Sequence, residues 1–255
     1  MLKWKHIKDT YLYDGTFEGF LTVVFECYVS KVIPFCIIPE EKYEYNLFDS
    51  LFLIKTDENK SKRIFEGISK NISQASLYHA YNAFLCEYDN KELYLLKYIS
   101  YGFQVGPQID SMLQLDFVFK VHQMRKKALF ECHRLKGLVR FIELKNHIYY
   151  ASIHPDHCII EPLGHHFMKR LPNQPFILHD KNRNLFFLYA QNQYEIRKES
   201  AINLPSISEV EKQYQKLWQL FFKSIAIPER KNRRCQMNFM PKKYWKDLIE
   251  DPYIT

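Results

Sequence analysis

The spacing of apolar residues changes after Gly137, and this change limits the folds open to the chain. Before Gly137, apolar residues recur at helical intervals, as they do between Leu113 and Ala128. After it, short apolar runs alternate with turn residues, which is typical of β-strands. Helices followed by strands, without regular alternation, indicate an α+β fold.

The predicted architecture is a mainly helical N-terminal half packed with a small antiparallel β-sheet unit and C-terminal helices. With 255 residues, 47% hydrophobic, and only 7 Gly, the chain can fill a core and has no low-complexity linker. We therefore expect one α+β domain over residues 1–255. A subdivision into 1–137 and 138–255 is left open.

Local signals place the main elements. In the first half we expect a strand at 11–13, a helix capped by Asp14 or Thr16, a buried strand at 51–54, and a long helix over 109–135 that stops at Gly137. In the second half we expect paired strands at 138–144 and 148–153, a helix at 159–171, a hairpin over 176–189 and a strand near 194–196. A helix capped by Ser206 or Ser208 and a short final helix near Pro241 follow.

Several classes of protein lose support. No run of about 18 apolar residues is present, which argues against a membrane span. The first residues contain no apolar signal core, and the six cysteines include no Cys-x-x-Cys pair, so we expect reduced thiols in the cytoplasm. Phosphate-loop, dinucleotide-binding, serine-hydrolase and metalloprotease motifs are missing from the sequence, and no cofactor is predicted.

The most distinctive charge pattern lies in residues 228–246, which we call the basic segment. It holds seven cations and one acid, Glu229, a net +6 of the chain's formal +7. The cations are Arg230, Lys231, Arg233, Arg234, Lys242, Lys243 and Lys246. Arg and Lys neutralise phosphates, aromatic rings such as Tyr244 and Trp245 can stack on bases, and the amide of Asn232 can contact base edges. The alternative is a solvated basic loop with Trp245 in the core.

A second basic surface is predicted at the end of the long helix. Arg134 and Arg140 can contact phosphate there, and the alternative is an ordinary solvated face in which Glu131 pairs with Arg134 at i,i+3. Asp14 and Glu18, four residues apart, are candidates for acid–base catalysis together with His133. The alternative for the two acids is a favourable position at a helix N-terminus.

Residues 154–166 gather four His, one Asp and one Cys. These are zinc-ligand types, but their spacing matches no ligand motif, so no metal site is predicted and satisfied histidines are the preferred interpretation. Whether this cluster binds a metal is left open. Asp180 and Arg183 fall on a predicted hairpin turn, where a structural role for Asp180 is favoured.

Three segments resemble a bacterial family of unknown function whose members are labelled DNA metabolism or DNA repair proteins. They are residues 13–21 (YDGTFEGFL), 133–141 (HRLKGLVRF) and 230–245, which begins RKN and ends MPKKYW. The resemblance implies a partner, because members are encoded beside a radical S-adenosylmethionine protein and some are fused to a uracil-DNA glycosylase-like domain. Leu138 stands where the family leads us to expect Phe. No such glycosylase domain is evident in this sequence, so base excision by this chain alone is not expected.

The resemblance also implies importance for a set of residues. They are Asp14, Glu18, His133, Arg134, Arg140, His166, Asp180, Arg183, Arg230, Asn232 and Trp245.

We therefore expect a cytoplasmic nucleic-acid-binding protein, DNA being favoured, that serves as accessory to a radical S-adenosylmethionine partner. Two alternatives stay open: an enzyme that acts on damaged bases through Asp14, Glu18 and His133, and a protein-docking subunit without nucleic-acid contact. The predicted contact residues are Arg134, Arg140, Arg183, Arg230, Lys231, Asn232, Arg233, Arg234, Lys242, Lys243, Tyr244 and Trp245.

Overall fold

A computed structural model describes residues 3–46, 49–199, 203–230 and 232–249. The fold is α+β, with several helices and small separate sheets. The chain divides into two compact units, unit 1 over residues 1–129 and unit 2 over 130–255. The subdivision considered from the sequence, after Gly137, falls a little further along the chain.

Unit 1 combines short parallel strands with helices. Its strands are β1 (Lys5–His6), β2 (Thr10–Tyr13), β3 (Val32–Ile33), β4 (Cys36–Pro39) and β5 (Leu51–Leu53). Its helices are α1 (Phe17–Ser30), α2 (Glu58–Gly67), α3 (Gln74–Phe84), α4 (Lys91–Val105) and the first part of α5 (Asp116–Leu138), with a π-helical turn at Ile68–Ile72 and 3₁₀ helices at Glu40–Lys42 and Gly106–Ser111.

The three-stranded sheet of unit 1 has β2 in its centre, parallel to β4 on one side and to β5 on the other. The predicted strands at 11–13 and 51–54 are both present, but the second is not buried. Phe52 and Leu53 are about half exposed, at 50% and 51%. The prediction of burial was wrong because β5 lies at the sheet edge, whereas a short apolar run is equally consistent with a central strand.

Helix α1 begins at a side-chain cap and provides much of the core of unit 1. The Thr16 hydroxyl accepts a hydrogen bond from the Gly19 N–H at 2.9 Å, as expected of a Thr cap. Phe20 is fully buried, and its ring stacks on Phe84 with the centroids 5.6 Å apart. Such aromatic burial supplies a large share of the hydrophobic stabilisation of a unit this size.

Helix α5 begins later than predicted and ends slightly beyond Gly137. Residues Gly106–Ser111 form a separate 3₁₀ helix, and α5 starts at Asp116 rather than near 109. Gly137 lies inside the helix and does not have a positive φ, so it is not a left-handed C-terminal cap. Within the described residues, every helix is too short or too polar to cross a lipid bilayer.

Unit 2 is built on one five-stranded sheet. Its strands are β6 (Ile142–Glu143), β7 (Tyr149–Ile153), β8 (Phe176–Asp180), β9 (Leu185–Ala190) and β10 (Gln193–Lys198), in the spatial order β10-β9-β8-β7-β6. Its helices are the end of α5, α6 (Ile160–Arg170), α7 (Glu209–Ile225) and α8 (Arg233–Phe239), with 3₁₀ helices at Pro228–Arg230 and Lys242–Asp247.

The sheet of unit 2 differs from the predicted antiparallel arrangement at one pair. The hairpins are antiparallel as expected, but β7 and β8 run parallel. Helix α6 connects them, because parallel neighbours need a crossover rather than a tight turn. Gly164 lets α6 approach the sheet closely: a Cβ there would lie 2.4 Å from the Phe187 ring, which is fully buried.

Helix α7 has the amphipathic pattern expected from the sequence, and its apolar side is exposed. The Ser208 hydroxyl caps the helix by accepting from the Glu211 N–H at 3.1 Å. Among the described residues of α7, none is buried, and Leu217 and Phe221 are 59% and 51% exposed. A surface of this kind is unusual because large contiguous apolar patches are rare on proteins in water.

Candidate nucleic-acid interface

The basic segment folds into three short helical pieces rather than a loop. They are the 3₁₀ helix Pro228–Arg230, helix α8 and the 3₁₀ helix Lys242–Asp247. The Asn232 side-chain oxygen caps α8 by accepting from the Cys235 N–H at 2.9 Å. Asn232, predicted to contact nucleic acid, therefore uses its acceptor to fix the start of this helix.

Five cations of the basic segment point to solvent. They are Arg230, Arg233, Arg234, Lys242 and Lys246. None of them forms a salt bridge with an acid among the residues that the structure describes. Lys231 lies outside the described residues. The outward side chains leave a concentration of unneutralised positive charge, which attracts polyanions.

Three other predicted contact residues are turned inward. Tyr244 and Trp245 are both 2% exposed, and the Trp245 indole N–H donates to the Met240 carbonyl at 2.8 Å. The Lys243 ammonium lies between the carboxylates of Glu131, at 2.7 Å, and Asp156. In this structure Lys243, Tyr244 and Trp245 anchor the basic segment and are not open to stack on bases or to bind phosphate. The basic and aromatic composition of the segment does not show which residues anchor it and which are open to bind nucleic acid.

The anchor is a buried carboxylate surrounded by donors. Glu131 is 5% exposed, and it accepts from Lys243, from the Tyr244 hydroxyl at 2.6 Å and from the N–H groups of Asp156 and His157. Burial alone would raise the pKa of Glu131, but these donors outweigh it and hold the pKa below its usual value. Glu131 and Arg134, whose i,i+3 pairing was the alternative considered from the sequence, instead contact these and other partners.

Arg134 and Arg140, the two cations of the second predicted basic surface, are half-buried. Arg134 donates to the Asn238 carbonyl at 3.0 Å, and its guanidinium lies over the Phe130 ring at 4.3 Å from the centroid. Arg134 thus ties α8 to α5. Arg140 donates to the Gly137 carbonyl at 3.0 Å. Both guanidinium groups are used partly for structure.

Arg183 is held by internal acceptors. It donates to Asp180 at 3.1 Å and to the carbonyls of Pro155 and Asp156. Asp180 is fully buried and also accepts from the Asn182 N–H, as expected of a structural turn residue. Burial raises the pKa of Asp180 despite the nearby guanidinium of Arg183. Arg183 therefore holds a hairpin turn in place rather than presenting its guanidinium to a ligand.

A cavity of about 290 Å³ lies beside the basic segment, within unit 2. Arg140, Ser152, Lys246 and Asp247 are among its lining residues. Ser152 donates to Asp247 at 2.9 Å, and His154 Nδ1 lies 2.8 Å from the second oxygen of Asp247. The lining thus contains two cationic side chains, those of Arg140 and Lys246, and the hydrogen-bonded carboxylate of Asp247.

The histidines of residues 154–166 have separate partners. His154 contacts Asp247, and the His165 ring lies edge-on to Tyr194 at 4.8 Å between centroids. The His166 ring packs edge-on to Phe167, and its pKa is lowered by burial and by neighbouring cations, Lys136 foremost. Among the described residues, no His, Cys, Asp or Glu of this cluster belongs to a group close enough to share one ion.

The proposed catalytic residues do not form one site within a unit. The Asp14 carboxylate accepts from Thr16 and from the Thr56 hydroxyl, the latter at 2.6 Å. Burial opposes ionisation of Asp14, but these hydrogen bonds prevail and lower its pKa, which suits a structural carboxylate better than a proton acceptor. Glu18 is exposed in the first turn of α1 in unit 1, and His133 is exposed on α5 in unit 2. The role of Thr56 had no local sequence signal.

Comparisons with known proteins give one family. A family model described as a domain of unknown function, DUF4130, matches residues 89–250. No curated protein matches the chain.

Proposed function

The chain belongs to the DUF4130 family, a domain of unknown function, and we propose that it binds nucleic acid, DNA in the first instance, through the exposed cations of the basic segment. The observation that carries the proposal is the outward position of Arg230, Arg233 and Arg234, without an acid to neutralise them among the described residues. Guanidinium groups donate two parallel hydrogen bonds to phosphate oxygens, and three of them lie within five positions of sequence.

Within the basic segment, some residues anchor the chain and others are exposed, and this arrangement supports the proposed function. Lys243, Tyr244 and Trp245 hold the segment to the body of unit 2, while the arginines remain at the surface. A surface held in place loses less conformational entropy on binding than a mobile tail does. The fixed arrangement favours recognition of a phosphate backbone over non-specific attraction by a disordered tail.

Phe239 adds a contact suited to unpaired bases. Its side chain is 76% exposed at the end of α8, near the exposed cations in sequence. An exposed aromatic ring beside cations is the arrangement that single-strand-binding proteins use to stack on bases. We therefore propose tighter binding to single-stranded than to double-stranded DNA at equal length.

The cellular role in this proposal rests on the resemblance of three segments to a bacterial family labelled as DNA metabolism or repair proteins. That resemblance supports a role in DNA metabolism or repair in the cytoplasm, with this chain as the accessory subunit of a radical S-adenosylmethionine partner. Buried thiols are compatible with a reducing compartment: burial raises the pKa of Cys27 to about 12, so this thiol stays protonated.

Binding can be measured by fluorescence anisotropy with labelled DNA of about 20 nucleotides, single- and double-stranded, over about 50 to 200 mM salt. The Arg230→Gln/Arg233→Gln/Arg234→Gln variant should lose at least about tenfold in affinity. The slope of log affinity against log salt concentration should also become less steep by about two to three, as roughly expected when three phosphate contacts are lost.

A charge-matched control removes three exposed cations from other parts of unit 2. The Lys145→Gln/Lys216→Gln/Lys223→Gln variant has the same net charge, so net charge alone predicts an equal loss. The proposal requires the control to stay within about threefold of the native protein. Equal affinity of the native protein and the arginine variant would exclude the basic segment as the binding surface.

A further inference from the structure

Three side chains from three separate elements of unit 1 meet at one point. His79 comes from α3, Asp110 from the 3₁₀ helix Gly106–Ser111 and His122 from α5. His79 Nδ1 lies 2.9 Å from Asp110 Oδ1, and His122 Nε2 lies 3.6 Å from the same oxygen. We call this group the His–Asp–His cluster.

The spacing of the cluster suits a shared metal ion. One potential ligand atom from each residue lies within 4.8 Å of the others. Zinc binds imidazole nitrogen and carboxylate oxygen at about 2.0–2.2 Å, which places tetrahedral ligand atoms roughly 3.3–3.5 Å apart. The separations of 2.9 Å and 3.6 Å from the Asp110 oxygen are close to this spacing, so small side-chain adjustments would bring these two pairs to tetrahedral geometry.

One atom of the cluster lacks a partner that a metal would supply. His122 Nε2 is shielded from solvent and makes no hydrogen bond to any described residue. It lies 3.6 Å from Asp110 Oδ1, which is longer than a hydrogen bond. A buried polar atom without a partner is costly, and such an atom in a native protein points to an unseen water or ion.

The carboxylate of the cluster is fixed and charged. The Ser76 hydroxyl donates to Asp110 Oδ2 at 2.8 Å, and the Tyr98 hydroxyl donates to Oδ1 at 2.5 Å. Burial opposes ionisation, but the nearby His122 imidazole and the hydrogen bonds with His79, Tyr98 and Ser76 outweigh it and hold the pKa of Asp110 well below its usual range. Outer hydrogen bonds that orient a ligand in this way are a regular feature of metal sites.

We propose that the His–Asp–His cluster binds a divalent transition-metal ion, zinc in the first instance. Two imidazoles and one carboxylate are borderline donors that favour Zn²⁺, Co²⁺ or Ni²⁺ over Mg²⁺ and Ca²⁺, which prefer oxygen ligands throughout. Three protein ligands leave a coordination position for water or a substrate atom, as in catalytic rather than structural zinc sites.

The charge of Arg125 moderates the expected affinity. Its positive charge acts on Tyr98, whose hydroxyl donates to Asp110, and therefore also opposes a dication at the cluster. With one carboxylate facing one nearby cation, the site binds zinc more weakly than a multi-cysteine structural site does. We therefore expect a chelator to remove the metal without unfolding the protein.

The test uses the full chain, freed of metal by dialysis against a chelator and then titrated with ZnCl₂ by calorimetry. We expect one saturable equivalent and a rise in the thermal unfolding midpoint of the native protein. His122→Ala and Asp110→Asn should each lose at least about tenfold in zinc affinity, in line with the loss of a ligand. MgCl₂ at the same concentration should not compete.

Two controls keep the result interpretable. His133→Ala and His147→Ala remove exposed histidines outside the cluster, and both variants should still bind one equivalent of zinc. Far-UV circular dichroism of His122→Ala in chelator should match that of the native protein, because His122 Nε2 donates to no described residue.

Titration with CoCl₂ should give visible d–d absorption bands that both cluster variants lack. No saturable zinc binding by the native protein, or equal binding by His122→Ala and Asp110→Asn, would overturn the proposal.

Discussion

Lys243 Nζ lies 2.7 Å from Glu131 Oε1, although the two residues are 112 positions apart in sequence. Tyr244 donates to the same oxygen, and the His157 N–H donates to the other at 2.8 Å. Because Glu131 is buried, these donors replace the water that its carboxylate loses on folding. The last part of unit 2 is thus bonded to its beginning.

Replacing Lys243 should destabilise unit 2 without a specific effect on nucleic-acid contact. Lys243→Met keeps most of the aliphatic stem and removes the charge, leaving Glu131 with its neutral donors. Since Lys243 is itself partly exposed, we expect a loss of about 1–3 kcal/mol in the free energy of unfolding. Urea denaturation followed by circular dichroism measures it.

The neighbouring Lys242 provides the matched control. It is exposed and forms no salt bridge with a described acid, so Lys242→Met should leave the free energy of unfolding within about 0.5 kcal/mol and weaken DNA binding instead. Equal stability of the two variants would show that the Glu131 carboxylate does not depend on Lys243.

His179 should remain neutral in the folded protein at mildly acidic pH. Burial lowers its pKa to about 4, with smaller contributions from Lys181 and His154, and its ring stacks on Phe186. The unfolded chain takes up this proton near pH 6.5. Stability from this group is therefore complete above about pH 6.5 and is lost as the pH falls from there towards about 4.

Proton NMR can test the behaviour of His179 directly. The imidazole signal that disappears in His179→Gln should titrate with a midpoint of about pH 4. The same variant should show a smaller loss of stability between pH 7 and pH 5 than the native protein does. A midpoint between pH 6 and 7 for the assigned signal would contradict the prediction.

Gly164→Ala should destabilise the contact between α6 and the sheet. The added methyl would lie 2.4 Å from the Phe187 ring, which also stacks on Phe176. Overpacking of this kind lowers the free energy of unfolding by about 1–3 kcal/mol, which exceeds the stabilisation from the higher helix propensity of Ala. Thermal unfolding should show a lower midpoint.

Gly137→Ala serves as the comparison for Gly164→Ala. It too lies in a helix, but a methyl there meets nothing within 4 Å. Its midpoint should be unchanged or raised, because Ala favours helix. If the two variants shift the midpoint alike, the close approach at Phe187 is not what makes Gly164 necessary.

The apolar side of α7 should contribute little to the stability of the isolated chain. Leu217→Gln/Phe221→Gln alters two side chains that are more than half exposed, so the free energy of unfolding should change by no more than about 0.5 kcal/mol per site. Fluorescence of an apolar dye such as ANS in the native state should fall. A large loss of stability would mean that this side is covered in solution.

Features encoded by neighbouring residues could be predicted from the sequence. The caps at Thr16 and Ser208 and the hairpin after Asp180 are present, because a hydroxyl or carboxylate acts on N–H groups only two or three residues away. The amphipathic pattern of α7 was also evident. Periodicity shows that a helix has an apolar side, but it does not show what covers that side.

Features that join distant positions could not be predicted. The Lys243–Glu131 pair, the Thr56–Asp14 hydrogen bond and the parallel register of β7 and β8 depend on tertiary topology. The His–Asp–His cluster draws on three elements, and no local spacing indicates it. The basic segment illustrates the limit, because its charge count was evident while the inward turn of Lys243 was not.

The central position of β2 in the sheet of unit 1 has a consequence for synthesis. Both of its neighbours, β4 and β5, come later in the chain. As the chain leaves the ribosome, β2 therefore emerges with two open edges, and the second stays open until β5 has emerged as well. Since unpaired strand edges recruit other chains, this interval is when a nascent copy is most prone to aggregate or to need a chaperone.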